Sequence, residues 1–352
     1  MASKIGKYLW WAFLALAAVL STYLLVQSLH ARSFVGSGPH ARLRGSNNLR
    51  IGIVGDQGAD LAYIAYEAGL FEEEGIVVDL SPEATYEKAL RELEAHEIDL
   101  AVLGDVPFGL LAPAWPDIAV LAVIGESPDD LRLVARPDAG IFSFPDLKGK
   151  RVGVEDLDSE RYAFDALLQR HALAPSDVTV VPMPSDELRP ALLRGEIAAV
   201  ADTFSDKLSP FRTRGSLKEQ PLEELVEHKL LHVRYCLVTS WPIIESKRAL
   251  IVDTLRALVA ARAAQKRSPS EAADLVARVQ RVPVAKVTRR WKNASFAVTL
   301  TRQILTSFEA QERWARQRGG DAEAMDWTSV LAPELLAEAA PTAVKLPKGR
   351  QP

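Results

Sequence analysis

Eight carboxylates stand in short loops that follow apolar, β-branched runs: Asp56, Asp60, Asp105, Glu126, Asp156, Asp158, Asp202 and Asp206. The basic residues among or beside them are Arg161 and Lys207. In open α/β sheets such loops lie beyond the C-terminal strand ends, where ligands bind. Acids gathered there favour an amine, an amidine or a protonated heterocycle and repel small oxyanions. The candidate ligand contacts are Asp56, Gln57, Asp105, Glu126, Ser127, Asp156, Ser159, Tyr162 and Asp202. The carboxylates would supply charge, Gln57, Ser127 and Ser159 hydrogen bonds, and Tyr162 a face for a planar ligand. Several have a plainer role. Asp60 and Asp105 stand at helix starts, as N-caps would, and Asp158 or Ser159 can cap the next helix. Tyr162, one turn into that helix, can equally be packing. Asp202 ends an apolar run and has no such duty.

Covalent chemistry finds little support. The chain has no G-x-x-x-x-G-K-[ST] phosphate loop, no G-x-S-x-G elbow and no H-E-x-x-H helix. His228 and His232 have i, i+4 spacing but no glutamate, and they lead straight into a strand, so they read as a surface pair. The single cysteine, Cys236, sits between Tyr235 and Leu237 in an apolar run and reads as a small buried residue. No metal, cofactor or catalytic group is expected.

The elements that must position the loops follow from periodicity. Short apolar runs predict strands over 49–54, 76–80, 98–103, 118–124, 151–155, 178–183, 197–201 and 231–239. Between them, apolar residues at helical spacing, such as Leu61, Ile64, Ala68 and Phe71, predict helices, with others over 84–96, from 107, over 160–171 and over 186–195. Strands alternating with helices imply β-α-β crossovers and a largely parallel sheet. After 239 everything reads as helical, with Ile251, Leu255 and Leu258 on one face and Leu300, Ile304 and Phe308 on another. Two α/β units and a helical tail imply a two-lobed protein with a cleft.

Charge is unevenly placed along the 352 residues. Residues 1–48 hold five Lys or Arg and no acid, so a total of −4 leaves −9 on the remainder. An acidic body excludes a nucleic-acid binder. From Tyr8 to Val26 there are 19 residues without a charge, with Trp10 and Trp11 near one end and Tyr23 near the other. As a helix that run spans roughly 28 Å, close to the hydrocarbon thickness. It predicts a transmembrane anchor over 8–29 behind a cytoplasmic N-terminus over 1–7; a cleaved signal peptide is the alternative. Residues 30–48, rich in Gly, Ser and Asn, read as a flexible linker.

Four runs in order carry a family likeness: EAGLFEEEGIVVD at 67–79, IDLAVLGDVP at 98–107, DLKGKRVG at 146–153 and LLRGEI at 192–197. Together they resemble the substrate-binding proteins of nitrate, sulfonate, taurine and thiamine-precursor ABC importers, the SsuA/THI5-like or NMT1-like type, over about residues 49–340. The resemblance implies an α/β type II periplasmic-binding-protein fold, with two α/β lobes joined by two crossing strands. The natural crossings are 131–136 and 231–239. Lobe 1 would then be 49–135 plus 232–345, lobe 2 136–231, and 346–352 a tail. It further implies a non-enzymatic, extracytoplasmic solute-binding subunit at the cell membrane, on the periplasmic side. Such a subunit closes on a small-molecule ligand, nitrogenous by the charge argument or sulfonate-type, and hands it to an ABC permease with its ATPase subunit. A membrane-anchored ligand sensor is the alternative use of the same fold.

Overall fold

A computed structural model describes residues 47–55, 58–83, 85–202, 223–319 and 324–346; of Asp129, Asp130, Asp202 and Glu223 it describes the backbone alone. Among the described residues ten strands form one sheet system. They are β1 (Asn48–Val54), β2 (Val77–Glu83), β3 (Leu100–Gly104), β4 (Ile118–Ala135), β5 (Arg151–Glu155), β6 (Thr179–Met183), β7 (Ala199–Asp202), β8 (Glu223–Ser240), β9 (Ser295–Thr301) and β10 (Val344–Lys345). Their order is β2-β1-β3-β8-β4-β7-β5-β6, with β9 on β4 and β10 on β9.

Two parallel trios give the fold its two halves. β1 lies between β2 and β3, and β5 between β6 and β7, all parallel. A parallel strand covered on both faces reads as a continuous apolar run, as does β3 (Leu-Ala-Val-Leu-Gly), buried throughout, whereas the edge strands β2 and β6 are partly exposed. The helices between them stop where the sequence lets them. Thr85 accepts from the Lys88 amide at 3.1 Å to start the helix Tyr86–Glu94. Gly195, at φ +78°, ends the helix Ser185–Arg194 in the left-handed region.

The halves are joined by β4 and β8, each 18 residues long, which pair antiparallel along most of their length. Ile118–Ile124 of β4 and Cys236–Val238 of β8 belong to a first core, completed by the helices Asp60–Glu67, Trp241–Arg267 and Arg302–Gln317. Leu131, Leu133 and Ala135 of β4 belong to a second core with Phe164, Leu167 and Leu168 of the helix Asp158–Arg170, and Leu225 of β8 packs against it. Each strand therefore threads both cores. Its sequence reads as separate short runs because the intervening stretch of β4, from Glu126 to Asp130, crosses between the cores and carries no apolar signal.

The tail differs from the all-helical expectation. Ser295–Thr301 is a strand that pairs antiparallel with β4, Gly125 opposite Phe296 and Glu126 opposite Ser295. Phe296, Val298 and Leu300 alternate with Ala297 and Thr299, a period of two. The helix after it packs home through aromatics: the Phe308 ring lies 5.1 Å from Phe108 and 4.9 Å from Trp327.

Candidate functional site

A recess opens where β4 leaves the first core. Gly58, Asp60, Gly125, Glu126, Ser127, Tyr235, Arg290, Ala294, Ser295 and Phe296 line it, and it holds about 270 Å³ including the space at its mouth. It combines the end of the first β-α unit with both crossing strands and β9. Glu126 and Ser127 were expected from the sequence and are here. Gly58 carries φ +89°, and a Cβ placed on it would lie 2.0 Å from the Tyr235 ring. Only glycine lets the tyrosine seat flat on the backbone at this wall.

The charges around the recess are organised by two buried carboxylates. Asp60 opens the helix Asp60–Glu67, accepts from Trp291 Nε1 at 2.9 Å and pairs with the Arg290 guanidinium. Arg290 also donates to Gln280 at 3.3 Å, and the Trp291 ring meets Phe296 edge-on at 5.0 Å. Asp105 opens the helix Asp105–Leu111 and is fully buried. It accepts from the Arg234 amide at 3.0 Å, from the Arg234 guanidinium at 3.4 Å and from Ser307 Oγ at 2.7 Å. Gln311 in turn donates to Ser307 Oγ at 3.1 Å. Arg234 Nε lies 3.8 Å from Glu126, so the network reaches the recess. Burial pushes the Asp105 carboxyl above its ordinary value despite the pairing with Arg234 and Ser307, which pulls the other way.

These contacts correct the capping expectation. Ala59 and Gly104, with no side-chain cap, precede the two helices, and Asp60 and Asp105 are the first helical residues, turned toward arginines. Neither acid is free to counter a cationic ligand, and fully buried Asp105 has no open surface for one. Glu126, with about a third of its side chain exposed, is the acid that lines the recess and keeps such access.

The other candidates lie elsewhere. Asp156 is exposed and Ser159 half-buried at the start of the helix Asp158–Arg170. Tyr162 on that helix packs edge-on against Trp314 at 5.5 Å, and burial, with the Asp105 charge second, raises its phenol pKa. Asp202 pairs by its backbone with Arg132 at the end of β7, and its side chain lies outside the described residues, as do Asp56 and Gln57. The stretch 203–222, holding Asp206 and Lys207, and residues 1–46, holding the expected anchor, also lie outside them. Among the described residues no helix is long and apolar enough to cross a membrane, and no trio of His, Cys, Asp and Glu is placed to hold a metal. His228 and His232 both lie within β8, and Cys236 is fully buried, with its thiol pushed well above the usual range by burial.

Tyr235, Arg290, Ser295 and Phe296 were not anticipated from the sequence. The last three fall in the segment read as helical tail, where the alternation Phe296, Val298, Leu300 was the signal available.

The halves also touch through side chains outside the recess lining. Asp165, on the second-core helix, accepts from Trp314 Nε1 at 3.0 Å and from Arg318 at 3.4 Å. It also accepts from Arg161 Nε at 2.9 Å, and Arg318 lies over the Trp314 ring at 5.1 Å.

Comparison with known proteins bears on this arrangement. The family described as NMT1/THI5 like matches residues 60–272. A Brucella abortus protein named as a candidate binding protein is 27% identical over 162 residues, 46% of this chain and 49% of that protein. The chain thus spans about half the length of the curated relatives it matches. The periplasmic aliphatic sulphonate-binding protein SsuA of Escherichia coli superposes with a TM-score of 0.60 at 17% identity, covering 78% of this chain and 94% of that one. The alkanesulfonate-binding protein SsuA of Xanthomonas axonopodis pv. citri, bound to MOPS, gives 0.56 at 19% identity, covering 86% and 99%. The desulfurization enzyme DSZB shares the fold as well, at 0.59 and 14% identity over 84% of this chain and 99% of that one. The fold is the α/β periplasmic-binding-protein fold.

Proposed function

This chain belongs to the NMT1/THI5-like family, and from that premise we propose that it is the extracytoplasmic solute-binding subunit of an ABC importer. It takes a small polar organic molecule into the recess at the crossing strands and passes it to a permease with its ATPase subunit, without covalent chemistry. The observation that carries this reading is the placement of the recess on Gly125–Ser127, at the departure of a strand that threads both cores. A ligand held there touches the joint itself, so closure and binding are one event. The sulphonate-binding names of the two SsuA proteins support the importer role.

The lining supports a nitrogenous ligand. Glu126 offers an acceptor, Ser127 and Ser295 adaptable hydroxyls, and Tyr235 and Phe296 aromatic surface for a planar ring. The lobes are assigned as 49–135 with 232–345, and 136–231, and the uncharged run of residues 8–26 serves as a membrane anchor holding the binding body on the periplasmic side.

A thermal-shift panel of amines, pyrimidines, thiazoles, amino acids, nitrate and sulfonates on the purified chain tests this. A ligand at a hundred times its dissociation constant adds about 2.7 kcal/mol, a shift of several degrees. An amine or heterocycle hit that disappears in Glu126→Gln is expected. A sulfonate hit that Glu126→Gln leaves intact would retain solute capture and overturn the nitrogenous assignment. Silence across every class would count against capture itself.

A further inference from the structure

One face of the molecule breaks with its acidic surroundings. From residue 275 to residue 308 the chain holds seven Lys or Arg and no Asp or Glu, whereas residues 49–352 together carry −9. Setting that stretch aside leaves −16 on the rest of the body. Four of these cations are not absorbed by neighbours. Arg290 turns inward to Asp60, but Arg278, Lys286, Arg289 and Lys292 are exposed, and among the described residues none of the four has an ion pair.

Geometry collects them. In the helix Val284–Trp291, Val287 is buried and Trp291 bonds to Asp60, which fixes the inner side. Lys286, Arg289 and Lys292 follow at steps of three, and Lys292 keeps helical φ/ψ at the C-cap, so the three share the opposite side. Arg278 is exposed on the preceding helix, Pro269–Gln280, which packs against this one, and Val284 stands 40% exposed where the second helix begins. The result is a cationic face with an apolar residue at its edge, on the same short helix that supplies Arg290 to the recess.

We propose that this face docks on the anionic surface of a phospholipid bilayer. Two features favour lipid over an acidic protein. On the reading proposed above, in which the 19-residue uncharged run of residues 8–26 is a membrane anchor, the body lies within linker reach of a membrane. The −16 on the rest of the body is repelled by an anionic surface, so attraction confined to one face also orients the molecule. Docked this way, the helix turns its cations to the headgroups and its Arg290 side to the recess.

The test uses the full chain, whose native cysteine is buried, so a Val284→Cys substitution gives one accessible thiol for an environment-sensitive dye. Phe142→Cys, 69% exposed and far along the chain in the second half, is the control position. Each is mixed with vesicles of phosphatidylcholine or of phosphatidylcholine with phosphatidylglycerol, carrying a headgroup quencher. Flotation with neutral vesicles reports the anchor; quenching at position 284 reports the face, so the failure of one is distinct from that of the other. Expected is quenching at 284 with phosphatidylglycerol, little at 142, and loss as salt shortens the screening length from about 10 Å at 0.1 M to about 3 Å at 1 M. Neutralising Lys286 or Arg289 to Gln should lower the docked-to-free ratio about fivefold each. Equal quenching at both positions, or quenching indifferent to lipid charge, overturns the proposal. So does a response to soluble polyglutamate with none to phosphatidylglycerol vesicles, which would assign the face to an acidic protein.

Discussion

The Trp314 indole donates to the Asp165 carboxylate at 3.0 Å although 149 positions separate them, and the bond joins the two cores. Asp165 lies on the helix that packs the second core, and Trp314 on the helix whose Phe308 packs the first. With Arg161, Arg318 and the Tyr162 ring they form a clasp beside the crossing strands. In such a fold the energy of closure is shared between ligand contacts and contacts of this kind, so their strength sets how far the free protein stays shut.

Loosening the clasp should open the molecule. Trp314→Phe keeps a ring against Tyr162 and removes one hydrogen bond, a loss of about 1 kcal/mol. Asp165→Ala leaves Trp314 and two arginines without their acceptor and should have the larger effect. Small-angle scattering of the unliganded variants should give a larger radius of gyration in the order wild type, Trp314→Phe, Asp165→Ala. Indistinguishable radii would remove the clasp from the account of closure.

The Asp60–Arg290 pair should show the asymmetry of a buried ion pair. Their side chains are 4% and 14% exposed. Removing one partner strands the other charge, at a cost of about 3–5 kcal/mol. Asp60→Leu and Arg290→Met are each expected to destabilise strongly, and the double variant less than the sum of the two. Urea unfolding of the three variants reads the cycle.

Gly58→Ala should be costly for two separable reasons. The backbone sits at φ +89°, and the new methyl would meet Tyr235 at 2.0 Å. Strain of this kind costs about 1–3 kcal/mol. Tyr235→Ala in the same chain should relieve the collision and leave the backbone strain. Partial recovery of the melting temperature in the double variant is the expected result.

Asp105 gives a pH dependence whose sign follows from its raised pKa. The ordinary value is 3.8, and burial is the main cause of the rise. Below 3.8 folded and unfolded chains are both protonated, and this carboxyl's contribution to stability is complete. As pH rises the unfolded chain ionises first, so the contribution falls until the folded carboxyl has ionised too. Asp105→Asn should flatten that segment of the stability-against-pH curve relative to wild type, as followed by chemical unfolding at a series of pH values.

Much of the architecture is legible in the sequence because each half is built from local signals. The runs 151–155 and 178–183 fall within a residue of β5 and β6: the middle of β5 is buried, and edge strand β6 shows through its run of β-branched residues. The site is less legible because its members meet only in three dimensions. Asp60 and Arg290 are 230 positions apart, and nothing near Asp60 shows that its charge is already met. Reading the loop acids as an exposed rim therefore overstated the negative charge at the recess. β9 was missed for a different reason: Leu300, Ile304 and Phe308 fit a helical stripe, and that period masked the alternation ending at Leu300.

The place of β8 in the sheet has a consequence for synthesis. β8 lies between β3 and β4, yet it is made roughly a hundred residues after β4 begins, once the buried residues of the second core have been translated. Until then one edge of β3 has no neighbour, the first part of β4 lacks both β8 and β9, and the helices that finish the first core are still to come. The inserted half can collapse on the ribosome while the half that encloses it waits for its own C-terminal third. A chain arrested before residue 223 would therefore show its nascent β3 to whatever binds open strand edges.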